Sequence, residues 1–239
     1  MSEAIFVEGL TKTYGGKAVV DHLDLSVKSG TVFGLLGANG AGKSTAIECM
    51  LGTKQADNGT VRLLGQDPKK RRKLFERIGV QFQEGDYQKE IKVSELCEET
   101  ASLYRDPADW RKLCEQFGIG DKANTPVKGL SGGERQRLFI VLALIPQPEL
   151  VFLDELTTGL DAKARRGVWK KLENLKEQGL TIFLTSHFMD EVEALCDEIC
   201  ILKKGTPVFR GTVEQAKTQC GCERFEDAYL QLSSEEASA

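Results

Sequence analysis

The sequence predicts an α/β fold with a mainly parallel central sheet, an antiparallel β subdomain and an inserted α-helical subdomain. Three observations lead there. The runs TVFGLLG from Thr31, ELVFLDE from Glu149 and LTIFLTS from Leu180 are continuously apolar, as expected of strands buried on both faces of a parallel sheet. Near the start, Ala4 to Leu10 and Val19 to Val27 instead alternate apolar with polar residues and read as antiparallel strands. Between Glu84 and Gln147 the pattern turns helical.

Within that insert, Val93 to Tyr104 is one amphipathic stretch. Asp106 to Phe117 is a second, with Asp106 as cap and Pro107 at the first helical position. Ser131 caps a third helix through SGGERQRLFIVLALI, which Pro146 ends. The reading is one domain over 1–239, with its core at about 1–83 and 146–211, the helical subdomain at about 84–145 and a C-terminal extension at about 212–239. Helix-forming segments fill that extension before a polar tail, SSEEASA, expected to fray. No internal repeat is present, so the chain holds one such unit.

With 41% hydrophobic and 28% charged residues, the chain has the balance of a soluble globular protein. Its net charge of -4 lacks the positive excess that phosphate-backbone binding demands, so no nucleic-acid partner is expected. No apolar run approaches the roughly 18 to 20 residues that span a bilayer, and MSEAIFVEGL lacks the basic and apolar regions of a signal peptide. A cytoplasmic location is the expectation. The seven cysteines fit neither a disulfide framework nor a zinc knuckle; Cys196 and Cys200 are expected on one helix face, and Cys220 and Cys222 form a C-x-C pair without further ligands.

The segment Gly37-Ala38-Asn39-Gly40-Ala41-Gly42-Lys43-Ser44, followed by Thr45, fits G-x-x-x-x-G-K-[ST] between a buried strand and a helical run. Glycines let the backbone wrap an anion, N–H groups and the helix N-terminus point at the phosphates, Lys43 adds a charge and Ser44 offers a hydroxyl to Mg²⁺. The core is therefore expected to be a P-loop nucleoside-triphosphatase fold. No N-K-x-D guanine reader of the Ras type is present. The strand Leu150 to Leu153 ends in Asp154 and Glu155, which places Asp154 at the sheet edge to help hold Mg²⁺. Glu155 is the candidate for polarising the attacking water.

At Leu130-Ser131-Gly132-Gly133-Glu134-Arg135-Gln136-Arg137 the chain resembles the signature motif of the ATP-binding-cassette (ABC) family. The remaining motifs follow in the family's order from Ala4 to about Gly211. Tyr14 matches the aromatic residue on which adenine stacks, and Gln83 stands in the Q-loop position, where the resemblance implies catalytic and Mg²⁺ contacts. Leu160-Asp161 matches the D-loop, and His187 the switch histidine. Leu156 and Ala162 depart from the family's pattern, where prolines are common; His22 matches no motif.

The resemblance implies an ATP- and Mg²⁺-dependent ATPase in which two cassettes face each other head to tail. Each ATP then lies between one phosphate loop and the Ser131-Gly132-Gly133 segment of the other subunit, a C2 pair unless the partner is a different cassette. It further implies a separately encoded transmembrane permease and a peripheral position on the cytoplasmic face of the membrane, with QEGDYQKE from Gln83 to Glu90 as the docking region. The segment FEDAYLQL is similar to the tail of drug and antibiotic exporter ATPases, which points to export. The rival reading, a soluble mechanical ATPase acting on DNA or ribosomes, is disfavoured by the net charge and by the lack of coiled-coil insertions or a fused second cassette. Glu155 and His187 argue against a module without turnover.

Overall fold

A computed structural model describes residues 2–69, 71–81, 87, 88 and 90–234. Gln83 and Asp86 lie outside the described residues.

The apolar runs form a six-stranded sheet. Its strands are β3 (Val32–Leu36), β5 (Ile78–Gln81), β6 (Leu150–Leu153), β7 (Thr181–Thr185), β8 (Glu198–Lys203) and β9 (Thr206–Gly211), in the order β5-β6-β7-β3-β8-β9. Every described pairing is parallel except that of β9 with β8. Residues of β3, β6 and β7 are buried without exception, and successive side chains feed opposite sides. Val151, Leu153, Ile182 and Leu184 pack towards the helical insert, while Phe33, Phe152 and Phe183 pack towards α1 (Lys43–Met50) and the smaller sheet. Two such faces need apolar residues at every position, which explains the unbroken runs.

The smaller sheet is antiparallel, with β2 (Lys17–Lys28), β1 (Glu3–Tyr14) and β4 (Asn58–Leu63) in that order. Its inward residues Ile5, Val7, Leu23 and Leu25 share a core with α1. Short α2 (Arg71–Leu74) precedes β5. The insert contains α3 (Val93–Ser102), α4 (Trp110–Gln116) and α5 (Gly132–Leu144), and beyond β6 run α6 (Ala162–Glu177) and α7 (Met189–Leu195). In the C-terminal extension, α8 (Val213–Cys220) and α9 (Phe225–Ser233) pack Phe225, Ala228 and Leu232 against Leu36, Ile199 and Ile201.

Two expectations are corrected. The second helix of the insert starts at Trp110 and is capped by Asp109, whose carboxylate accepts from the Arg111 N–H at 3.0 Å. Asp106 to Ala108 are held outside the helix by the end of α5: the Ala108 N–H donates to Ile145 O, and Gln147 Nε2 to Asp106 O. Cys196 and Cys200 do not share a helix face, because α7 ends at Cys196 and Cys200 belongs to β8. Burial pushes both thiols up, Cys200 to about 12, which disfavours the thiolate.

Candidate functional site

The phosphate loop closes tightly on the rest of the core. Gly37 and Gly42 have φ of 149° and 103°, and a Cβ on either would lie 2.5 Å from Leu202 O or 2.3 Å from Val19 O, so only glycine fits these two bends. Gly42 caps α1 with no side-chain hydrogen bond, which leaves the first N–H groups of the helix for an anion. A cavity of about 360 Å³ opens there, lined by Val19, Asn39, Gly40, Gly42 to Thr45, Asp154 and Glu155. A larger hollow of about 780 Å³ lies instead between β4 and the end of α1, and none of these residues lines it.

Lys43 is 7% exposed, and its ammonium donates to Gly37 O at 2.7 Å and Ala38 O at 3.2 Å. Burial pushes its pKa down, opposed by the charges of Asp154 and Glu155. Burial likewise pushes the Asp154 carboxyl up; the Thr185, Ser44 and Lys43 side chains favour the ionised form, while the Glu155 charge opposes it. Lys43, Ser44 and Asp154 therefore meet at one end of the cavity.

A single hydroxyl organises the end of β6. Thr185 Oγ1 donates to Asp154 Oδ1 at 2.5 Å and accepts from the Glu155 N–H at 2.9 Å. Glu155 takes a left-handed backbone conformation, φ 53°, and Gln136 of α5 holds the following turn by donating to Glu155 O and Leu156 O at 3.1 and 2.9 Å. From this turn the carboxylate faces the cavity, and Glu155 Oε1 lies 3.0 Å from His187 Nε2.

Other candidate residues lie elsewhere. Ser131, Gly132 and Gly133 begin α5 and do not line the cavity; a Cβ on Gly133 would touch Leu160 at 3.2 Å. Ser131 and Glu134 form a capping box, in which Glu134 accepts from the Ser131 N–H and hydroxyl, each at 2.8 Å. Asp161 caps α6 by accepting from the Ala164 N–H at 2.8 Å. Tyr14, 45% exposed at the end of β1, has the Lys12 and Lys54 ammonium groups 5.2 and 6.0 Å from its ring centroid.

The sequence pattern described as "ABC transporter" matches residues 20–158. The chain is 41% identical over 227 residues to the Nod factor export ATP-binding protein I of Ralstonia nicotianae, covering 92% of this chain and 71% of that protein. The protein of the same name from Rhizobium johnstonii is 39% identical over 226 residues, covering 92% and 73%. The chain belongs to the ABC transporter family. Among solved structures, an ATP-binding subunit of an ABC transporter superposes with a TM-score of 0.88 at 23% identity, covering 97% of this chain and 100% of that one, a likeness of fold. CbiO1 of Clostridium perfringens, described as part of the ABC transporter complex cbiONQ, superposes with a TM-score of 0.77 at 25% identity, covering 96% and 99%. As a member of this family the chain is an ATP-binding subunit and an ATPase coupled to transport.

The Leu156 departure from the family's pattern has a structural counterpart. Leu156 is fully buried in the core shared with the insert, and its N–H donates to Thr185 O at 3.4 Å, a bond that proline cannot make. Thr185 and Val19 are site residues that motif reading misses, because each is a single common side chain brought in from a distant part of the chain, and Gln136, though inside the signature segment, gives no sign there of its hold on the Glu155 turn.

The capping box at the start of the signature helix sets a pH dependence. The Ser131 N–H, then the Ser131 hydroxyl and Lys122, lower the Glu134 pKa from its ordinary 4.5 to about 2. A lowered folded-state pKa stabilises above the unfolded value, and that contribution disappears as pH falls from about 4.5 towards 2. The stability difference between the wild type and Glu134→Ala is therefore expected to shrink across that window in acid titrations followed by urea unfolding; a constant difference would contradict it.

Proposed function

We propose that this ABC subunit hydrolyses ATP at sites shared between two cassettes and powers export through a separately encoded transmembrane permease, from the cytoplasmic face of the membrane. The observation that carries the catalytic part is the meeting of Glu155 and His187 at 3.0 Å beside the cavity that holds Lys43, Ser44 and Asp154.

In this reading the glycine loop, from Gly37 through Ala38, Asn39, Gly40, Ala41 and Gly42 to Thr45, cradles the phosphates, and Lys43 moves its ammonium from its own loop's carbonyls to phosphate oxygens. Mg²⁺ is the fitting cation, because it asks for few protein oxygens beside phosphates and waters, and the Ser44 hydroxyl stands by the Asp154 carboxyl to supply them, with Gln83 as a further proposed ligand. Bound there, it would neutralise charge on the phosphates. Glu155 accepts from the attacking water and orients it, and His187 holds Glu155 and the γ-phosphate side of the site. Tyr14, 45% exposed, is the proposed aromatic platform for adenine.

Ser131, Gly132 and Gly133 lie outside their own chain's cavity, which supports their service to the opposing subunit, with Asp161 near the same junction. Two copies of this chain related by a twofold axis satisfy that requirement. Among the described residues no helix is long and apolar enough to cross a membrane, and the separate permease is proposed from membership of the family and from the likeness to CbiO1, described as part of a transporter complex. A groove on the insert, lined by Tyr87, Gln88, Ile91, Leu96 and the 74% exposed Leu103, is the proposed seat for its cytoplasmic helix. The export direction rests on the names of the relatives.

A cysteine at position 88, with the native cysteines replaced, is expected to crosslink in intact cells to a cytoplasmic helix of a polytopic membrane protein. The yield should differ between ATP-bound and nucleotide-free states. Capture of ribosomal or DNA-bound material alone would replace the transporter reading with a soluble mechanical one.

A further inference from the structure

Glu191 is a carboxyl group that the proposed chemistry does not use. It sits in the first turn of α7 and is fully buried, an expensive place for an acid unless its hydrogen bonds are specific. Its Oε1 accepts from Thr157 Oγ1 at 2.7 Å and from Trp169 Nε1 at 2.9 Å. Burial pushes its pKa up, while the Ser186 hydroxyl, the Thr157 hydroxyl, the Trp169 indole and the Arg165 charge favour the ionised form.

The placement of these partners matters more than their number. Thr157 follows Glu155 by two residues, Ser186 precedes His187, and Trp169 belongs to α6, the helix that Asp161 caps. The same helix reaches the switch segment from another side: the Arg165 guanidinium lies 3.8 Å above the Phe188 ring and pairs with Asp190 at 3.2 Å. One buried carboxyl thus ties the turn that carries Glu155 and helix α6 to α7, the helix that directly follows the turn carrying His187, while its Oε2 has no hydrogen-bond partner and the Ser186 hydroxyl donates to Phe188 O at 3.4 Å.

We infer that Glu191 is a positioning residue for ATP hydrolysis, holding the Glu155 turn in register with α7 and the His187 turn before it through Thr157 and Trp169. This rests on the reading in which Glu155 and His187 act on ATP. Glu191 is fully buried and does not line the cavity; it acts through the backbone segments that present the two side chains. Small displacements of such a pair reduce turnover steeply while the phosphate contacts of Lys43 and Ser44 remain.

The test uses the full chain in a His22→Ala background, which leaves His187 as the single histidine of the original two. Glu191→Gln is expected to lower kcat about 10- to 100-fold with KM for ATP nearly unchanged, and to shift the His187 imidazole resonances in NMR spectra. Trp169→Phe, which removes the indole donor, should move both readouts in the same direction by less. Glu193→Gln, on the same helix but exposed and paired with Lys217, should move neither. If Glu191→Gln does not fold, Trp169→Phe decides alone. Wild-type kcat, or a lowered kcat with the His187 resonances unmoved, would overturn the inference. Glu155→Gln measured in parallel separates the two levels: wild-type turnover in that variant would sink the reading of the pair itself. A stall there, with normal turnover in Glu191→Gln, would sink only the positioning role.

Discussion

Glu155→Gln is expected to reduce ATP turnover by about 10² to 10⁴-fold, the range set by loss of a positioned proton acceptor, while leaving ATP affinity close to wild type. The amide keeps an oxygen within reach of His187 and preserves the shape of the cavity edge, where Glu155 Oε1 now lies 3.0 Å from Nε2. Lys43 and Ser44 are untouched, so an ATP-bound pair of subunits should accumulate and be visible by light scattering. Lys43→Ala should do the reverse. It removes the charge buried at the phosphate end and leaves the Gly37 and Ala38 carbonyls without that donor, so ATP binding itself should weaken about 10- to 100-fold. Equilibrium binding with a fluorescent nucleotide and single-turnover phosphate release distinguish the two. Wild-type hydrolysis by Glu155→Gln would remove it from its assigned role, and undiminished binding by Lys43→Ala would undo the phosphate cradle.

Mixing two inactive variants should restore activity. Ser131→Arg spoils the anion site at the start of α5, and Lys43→Ala spoils the phosphate loop, so each homodimer has no intact composite site. A mixed dimer joins the wild-type loop of one chain to the wild-type signature of the other. Random exchange makes about half of all dimers mixed, with one good site in two, so about a quarter of the sites are expected to be whole. The measurement is ATPase activity against mixing ratio, with mixed-dimer formation followed by differently tagged chains. No recovery while mixed dimers demonstrably form would mean that each chain completes its own site, against the separation of Ser131 to Gly133 from the cavity.

How far the sequence alone reaches depends on whether the chemistry is local along the chain. The phosphate loop is legible because its glycines, lysine and serine are consecutive and bounded by a buried strand and a helix, and the Asp154-Glu155 pair because it ends an unbroken apolar run. The parallel sheet could be read for the same reason: both faces of β3, β6 and β7 are covered, and the residues record it at every position. Thr185 is not legible in that way. Its importance comes from standing at the end of β7 beside Asp154 and Glu155 at the end of β6, a relation of register between the two strands that no local pattern encodes. Gln136 is part of the signature segment, yet nothing in that motif tells that it fastens α5 to the turn after Glu155. The misplaced start of α4 has a related cause. Asp106-Pro107 is a good opening by local rules, but the backbone beyond α5 claims that stretch, and Asp109 three residues later caps the helix instead.

The left-handed backbone of Glu155 sets a conflict between endurance and work. An L-residue other than glycine loses on the order of 1 kcal/mol or more in that conformation, and the Thr185 hydroxyl and Gln136 amide oppose its relaxation. Glycine would sit there without strain, so a lineage selected only for heat resistance would drift towards losing the carboxylate. Glutamate at this position thus carries backbone strain in exchange for a carboxylate at the edge of the cavity.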